Sequence, residues 1–167
     1  MNFIKLAGLA ALTTGLIASA AAQTKTVSED DLAVLAGDGW AGELVYRAYE
    51  PPYEEESIPV KLGPVQATDG GIRFQMIFEG ETASGGPGEL LQVSEGGAEL
   101  GGAPIIQRTE IGDSLFVVTR KDCEDDGRAA VCERAFRIGP STFTMSKEVI
   151  LDESGERFVR NRYAFQR

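Results

Sequence analysis

The sequence predicts an all-β protein: a single antiparallel up-and-down β-barrel of about 8–10 strands, entered through a short N-terminal helix. Three observations carry this expectation. After Gly37 apolar residues recur at every second position, the period of a half-buried strand. Glycine turn signals punctuate these runs at spacings near roughly ten residues. They are Asp69-Gly70-Gly71, Ser84-Gly85-Gly86-Pro87-Gly88, Glu95-Gly96-Gly97, Gly101-Gly102, Gly112-Asp113, Asp126-Gly127, Gly139-Pro140 and Glu153-Ser154-Gly155. No internal repeat or second domain interrupts the pattern. A meander closed on itself leaves no edge to aggregate, which favours a barrel over an open sheet.

Residues 1–22 read as a secretory signal peptide. Lys5 is followed by an apolar run over 6–17 and then by Ala18-Ser19-Ala20-Ala21-Ala22, with cleavage expected before Gln23. The apolar run is too short to span a bilayer, so no membrane span is expected after cleavage. Residues 23–167 then form a single barrel domain, long enough to bury a core. Ser28 begins a helix as N-cap, with Asp31 at the reciprocal capping position and Glu29 and Asp30 at the positive end of the dipole. Leu32 and Leu35 share its apolar face, and Gly37 stops it.

The strands follow in order. Trp40, Gly42, Leu44 and Tyr46 form one face of the first. Ile72, Phe74, Met76 and Phe78 alternate with Arg73, Gln75 and Ile77 in the cleanest half-buried strand of the chain. Leu115-Phe116-Val117-Val118-Thr119 is a β-branched and aromatic run. Phe143, Met145, Val149 and Leu151 share a face, as do Val159, Tyr163 and Phe165 in the last strand. The glycine-rich stretch 85–102 reads as weak strands or loop.

Composition narrows the function. The chain carries 16 basic and 26 acidic residues, a formal net charge of −10. Such a chain does not suit nucleic acid or an anionic membrane surface. There is no histidine, which excludes Ser-His-Asp and Cys-His mechanisms, the usual zinc sites and a haem held by a proximal histidine. No cofactor or metal is expected. Loop 50–57, acidic and stiffened by prolines, reads as a solvated loop, with an acidic recognition loop or a weak Ca²⁺ site as the alternative. Asp122, Glu124, Asp125 and Asp126, which lack calcium-loop spacing, read as a soluble hairpin tip. Among so many acids no pair stands out for sugar hydrolysis. Charges in mid-strand, such as Arg73, Glu133 and Arg137, argue against an outer-membrane barrel. Cys123 and Cys132, the only cysteines, predict a disulfide across a hairpin turning near Gly127, with the two residues opposite each other on adjacent strands.

Trp40 stands alone as a tryptophan, between Gly39 and Gly42. Small neighbours allow close backbone approach, so the indole can lie across one mouth of a barrel. Arg160 and Arg162 share a face of the last strand, and either is placed to stack on it. This order of features resembles the calycin superfamily of lipocalins and fatty-acid-binding proteins: a short helix, Gly39-Trp40 with Gly42, then strands ending in Arg160-Asn161-Arg162-Tyr163. Position 38 is Asp, so the Gly-x-Trp of that family is not strictly met, and Asn161-x-Tyr163 stands where its fatty-acid binders carry Arg-x-Tyr. The resemblance implies a binder, without naming its ligand.

The expected function is non-enzymatic binding of a small, largely apolar ligand inside the barrel. Tyr46, Ile72, Phe74, Met76, Phe78, Phe116 and Tyr163 would line the interior, and an inward Arg134 could hold a carboxylate. The alternative is a barrel filled by its own side chains that binds a protein partner, preferably a basic one, through its loops. A cavity of about 300 Å³ or more favours the first. A filled interior favours the second.

Overall fold

The computed structural model describes residues 25–80 and 88–167. The expected signal peptide, residues 1–22, and most of the turn signal at 84–88 lie outside them. Among the described residues the fold is mostly antiparallel β with one short helix, α1 (Glu29–Ala33). The strands are β1 (Ala41–Arg47), β2 (Glu55–Leu62), β3 (Gln66–Thr68), β4 (Gly71–Phe74), β5 (Met76–Phe78), β6 (Glu89–Gln92), β7 (Glu99–Leu100), β8 (Ala103–Ile111), β9 (Ser114–Asp125), β10 (Arg128–Ile138), β11 (Thr142–Leu151) and β12 (Arg157–Gln166). The expected capping box on α1 is present. The Asp31 N–H donates to Ser28 Oγ at 3.3 Å, and the Ser28 N–H donates to the Asp31 carboxylate at 2.8 Å.

Nine strands form one sheet in the order β5-β2-β1-β12-β11-β10-β9-β8-β7. From β8 to β12 this is the expected meander, and β1 then pairs with β12, so the first strand lies beside the last. The ladders do not close into the expected barrel. β5 and β7 are edges of the large sheet, while β3, β4 and β6 form a second, smaller one. The physical cause lies inside the strand that read most cleanly. Its alternation runs unbroken from Ile72 to Phe78, but the ladder breaks at Gln75, whose carbonyl accepts from the Gly63 N–H at 2.9 Å. Upstream of the break β4 pairs with β6, and downstream β5 pairs with β2. One strand thus serves both sheets, as at the corner of a packed sheet pair. On the other side a lone bridge, Val93 to Leu100, links the small sheet to the β7 edge.

Two apolar clusters fill the interior. The larger contains Trp40, Ile72, Phe74, Leu100, Val117, Phe136, Phe143 and Phe165. The smaller contains Ala130, Cys132, Val149 and Leu151, flanked by Cys123 and Phe158. A β-bulge separates them: Lys147 pairs with Asn161 and Glu148 with Val159, which leaves Arg160 as the extra residue. The bulge shifts the phase of β12. Phe158 therefore packs on the small cluster, Tyr163 and Phe165 belong to the large one, and Arg160 is turned inward with 4% of its surface exposed.

Trp40 is buried in the large cluster. Its ring meets Phe143 edge to face at 6.3 Å, and its Nε1–H donates to the Leu35 carbonyl at 2.9 Å. Gly42 is required beside it, because a Cβ there would meet the Ala164 carbonyl oxygen at 1.8 Å. The covering arginine is neither Arg160 nor Arg162. Arg167 lies over the indole, its guanidinium 4.4 Å from the ring centroid. It donates to the carbonyls of Val34, Ala36 and Pro140, each at 2.8 Å. The turn after α1 leaves carbonyls that need donors, and Arg167 supplies them while stacking on Trp40. The bulge commits Arg160 elsewhere, and Arg162 is exposed.

Candidate functional site

A cleft of about 260 Å³ opens beside the large cluster, between β4–β6 and β10–β12. Phe74, Met76 and Leu91 form one wall, and Phe136, Met145 and Tyr163 the other. The alternation of β10, β11 and β12 sets this up: Phe136 pairs with Met145, and Met145 with Tyr163, so one row of apolar side chains crosses three strands. The rim is polar, with Arg134, Lys147, Asn161 and Glu89. Arg134 and Lys147 are cross-strand partners. Lys147 reaches the Asp125 carboxylate at 3.4 Å. Arg134 is exposed and makes no ion pair among the described residues. Across the ladder from Arg134 sits Thr119, whose buried hydroxyl has no hydrogen-bond partner among the described residues. Burial raises the Tyr163 phenol above its ordinary pKa, and the charge of Glu89 adds to this. The tyrosine stays a neutral donor in the wall of the cleft.

The expected lining is met in part. Phe74, Met76, Arg134 and Tyr163 come together in the cleft. Ile72 is wholly buried in the core below. Tyr46 and Phe78 pack on the flank of the core but do not line the cleft, and the Tyr46 hydroxyl donates to Glu56. Phe116 is on the opposite face. Its neighbours Leu115 and Val117 are the buried ones, so the pleat turns Phe116 to the outside. Leu90, Leu91 and Glu89 were missed because the glycine-rich stretch that carries β6 shows too short an alternation to phase. Lys147 and Asn161 lie two residues from Met145 and Tyr163 on the same strand faces, so alternation pointed to them; they were missed because only the apolar positions of those faces were followed. The volume falls below the mark of about 300 Å³ set for a container, and side chains fill the interior around Trp40.

A second site lies at the far end, at the tip of the β9–β10 hairpin. The turn is Asp126-Gly127, with φ of 52° and 71°, the two-residue type that an Asp-Gly pair supports. The Cys123–Cys132 disulfide spans the hairpin with a Cα separation of 5.8 Å. The two residues are not directly opposite, since Cys123 pairs with Ala130 and Cys132 with Lys121. The bridge is therefore diagonal, and it fits a compartment outside the reducing cytosol. Asp125, 2% exposed, forms a two-pronged ion pair with Arg160. Arg160 also donates to the carbonyls of Arg47 at 2.9 Å and Ala48 at 3.3 Å. Burial pushes the Asp125 carboxyl up, but the hydrogen bonds and charge of Arg160, with those of Lys147, outweigh it and hold the pKa below its ordinary value.

Another concavity, about 1340 Å³, is an open polar groove along α1. It is lined by Asp31, Asp69, Glu95, Glu110 and Arg108 among others and contains none of the expected site residues. Among the described residues no cluster of three or more His, Cys, Asp or Glu could hold a metal ion, and no helix is long and apolar enough to cross a membrane. No protein-family model, curated protein or solved structure matches the chain.

Proposed function

We propose that this is an exported, non-enzymatic binding protein. A small, largely apolar ligand would sit in the open cleft between Phe74 and Phe136 rather than in the interior, which side chains fill. The compartment in this reading is a bacterial periplasm or the extracellular space, supported by the disulfide and the N-terminal sequence. The observation that carries it is the apolar row Phe136–Met145–Tyr163 facing Phe74 and Met76 across an open gap. That gap is worth about nine water volumes, so the ligand is small or projects from the mouth. Arg134, free of an ion pair, suits an anionic end of the ligand. The hydroxyls of Thr119 and Tyr163 add nearby polar capacity.

The test is calorimetric titration with decanoate and with decylamine, joined to native mass spectrometry of whatever co-purifies. Decanoate should bind more tightly, Arg134→Gln should weaken it by roughly tenfold, and Met145→Trp should block it by filling the gap. Equal binding of the amine and the acid, or binding that survives Met145→Trp, would overturn the assignment to this cleft.

A further inference from the structure

The loop between β1 and β2 carries a feature unrelated to the cleft. Three aromatic rings and two guanidiniums alternate there. Arg47 lies 4.9 Å from the Tyr53 ring centroid and 4.4 Å from that of Phe158. Arg160 lies 4.8 Å from the Phe158 ring and 4.3 Å from that of Tyr49. The series therefore reads Tyr53, Arg47, Phe158, Arg160, Tyr49, with a tyrosine at each end. Both end tyrosines are unusually exposed for large side chains, Tyr49 at 55% and Tyr53 at 44%. Backbone bonds hold the loop between them: Tyr53 N–H to the Glu50 carbonyl and Ala48 N–H to the Glu54 carbonyl, both at 2.9 Å. Glu50, Glu54 and Glu55 are exposed around the tyrosines and form no ion pair among the described residues.

We propose that this loop is a docking surface for a protein or peptide that presents arginine or lysine side chains. Each tyrosine has a guanidinium on one side, and the exposed remainder of its ring offers an electron-rich face. A partner's cation would extend the alternation by one layer, with the loop carboxylates drawing it in and pairing with its neighbours. The tyrosines are already held by the stack, so little side-chain freedom is lost on binding. An anionic or purely apolar partner would gain nothing from the carboxylates.

The probe is a dodecapeptide of alternating arginine and serine, with its glutamate–serine counterpart as control, titrated into ¹⁵N-labelled protein. Amide shifts should concentrate at residues 48–56 and around Phe158 with the arginine peptide alone. Tyr49→Ala/Tyr53→Ala should weaken binding by roughly tenfold, while Tyr49→Phe/Tyr53→Phe retains it. Because loss of Tyr49 disturbs Arg160, Glu54→Gln/Glu55→Gln provides a second variant that leaves the stack intact and should also weaken binding. Decanoate binding should be unchanged in all of these. Shifts spread over other acidic surfaces, no saturable shift in this loop, or alanine and glutamine variants that bind the arginine peptide like the parent would each overturn the proposal.

Discussion

At one end of the molecule a guanidinium lies on an indole, and both are tied to the core. At the other end two guanidiniums lie between three rings, and the outer rings face water. The contact is the same, but its surroundings differ. Arg167 over Trp40 spends its donors on three neutral carbonyls, and beneath it the interior is packed with Phe143, Phe165 and Leu35. Arg160 must answer a buried carboxylate, Asp125, at the tip of a disulfide-bridged hairpin. The first end is held by apolar burial and the second by charge compensation. Apolar packing weakens by degrees, whereas a buried charge that loses its partner is left with an uncompensated desolvation cost.

Breaking each end should expose that contrast. Trp40→Ala should cost about 3–5 kcal/mol, and Asp125→Ala should cost a similar ~3–5 kcal/mol because Arg160 is stranded. Urea unfolding measures both. The distinguishing variant is Asp125→Leu/Arg160→Met, which should recover most of the loss at the far end, since replacing both charges by apolar groups is often neutral. If the double variant is as unstable as Asp125→Ala, charge compensation is not what holds that end.

Opening the disulfide ranks next. Cys123→Ser/Cys132→Ser should destabilise by roughly 2–3 kcal/mol, as expected for so short a loop, with the hairpin tip losing hydrogen-exchange protection before the Trp40 region does.

Acid should also separate the ends. The folded pKa of Asp125 lies below its unfolded value. Its contribution is therefore complete above the ordinary carboxylate range near about pH 4 and is lost as pH falls through the folded pKa. Urea midpoints between about pH 5 and about pH 2 should fall more steeply for the parent than for Asp125→Asn. The smallest effect is expected for Arg167→Ala, about 1 kcal/mol from the lost stack and exposed carbonyl bonds, seen as a modest drop in Tm. A loss as large as that of Trp40→Ala would mean that the indole's packing depends on the arginine above it.

Much of the fold was legible in the residues. The capping box at Ser28, the meander from β8 to β12, the burial of Trp40 and the cysteine bridge all depend on chemistry spread over a few positions or one hairpin. The candidate site was half legible. Phe74, Met76, Arg134 and Tyr163 announced themselves by alternation on their own strands. Phe116 misled because an apolar run offers two faces and nothing local says which is inward. Arg160 misled because spacing along β12 assumes an unbroken pleat, and a single bulged residue reverses it.

Period-two alternation, glycine turns and the cap are local demands of the backbone, so the chain by itself determined where the helix is capped and how the β8–β12 meander turns back on itself. Which arginine covers the indole, where the ladder breaks at Gln75, and how the bulge turns Arg160 inward were decided only in the folded molecule. Those outcomes depend on segments far apart in sequence meeting in one register, and no single segment carries that information.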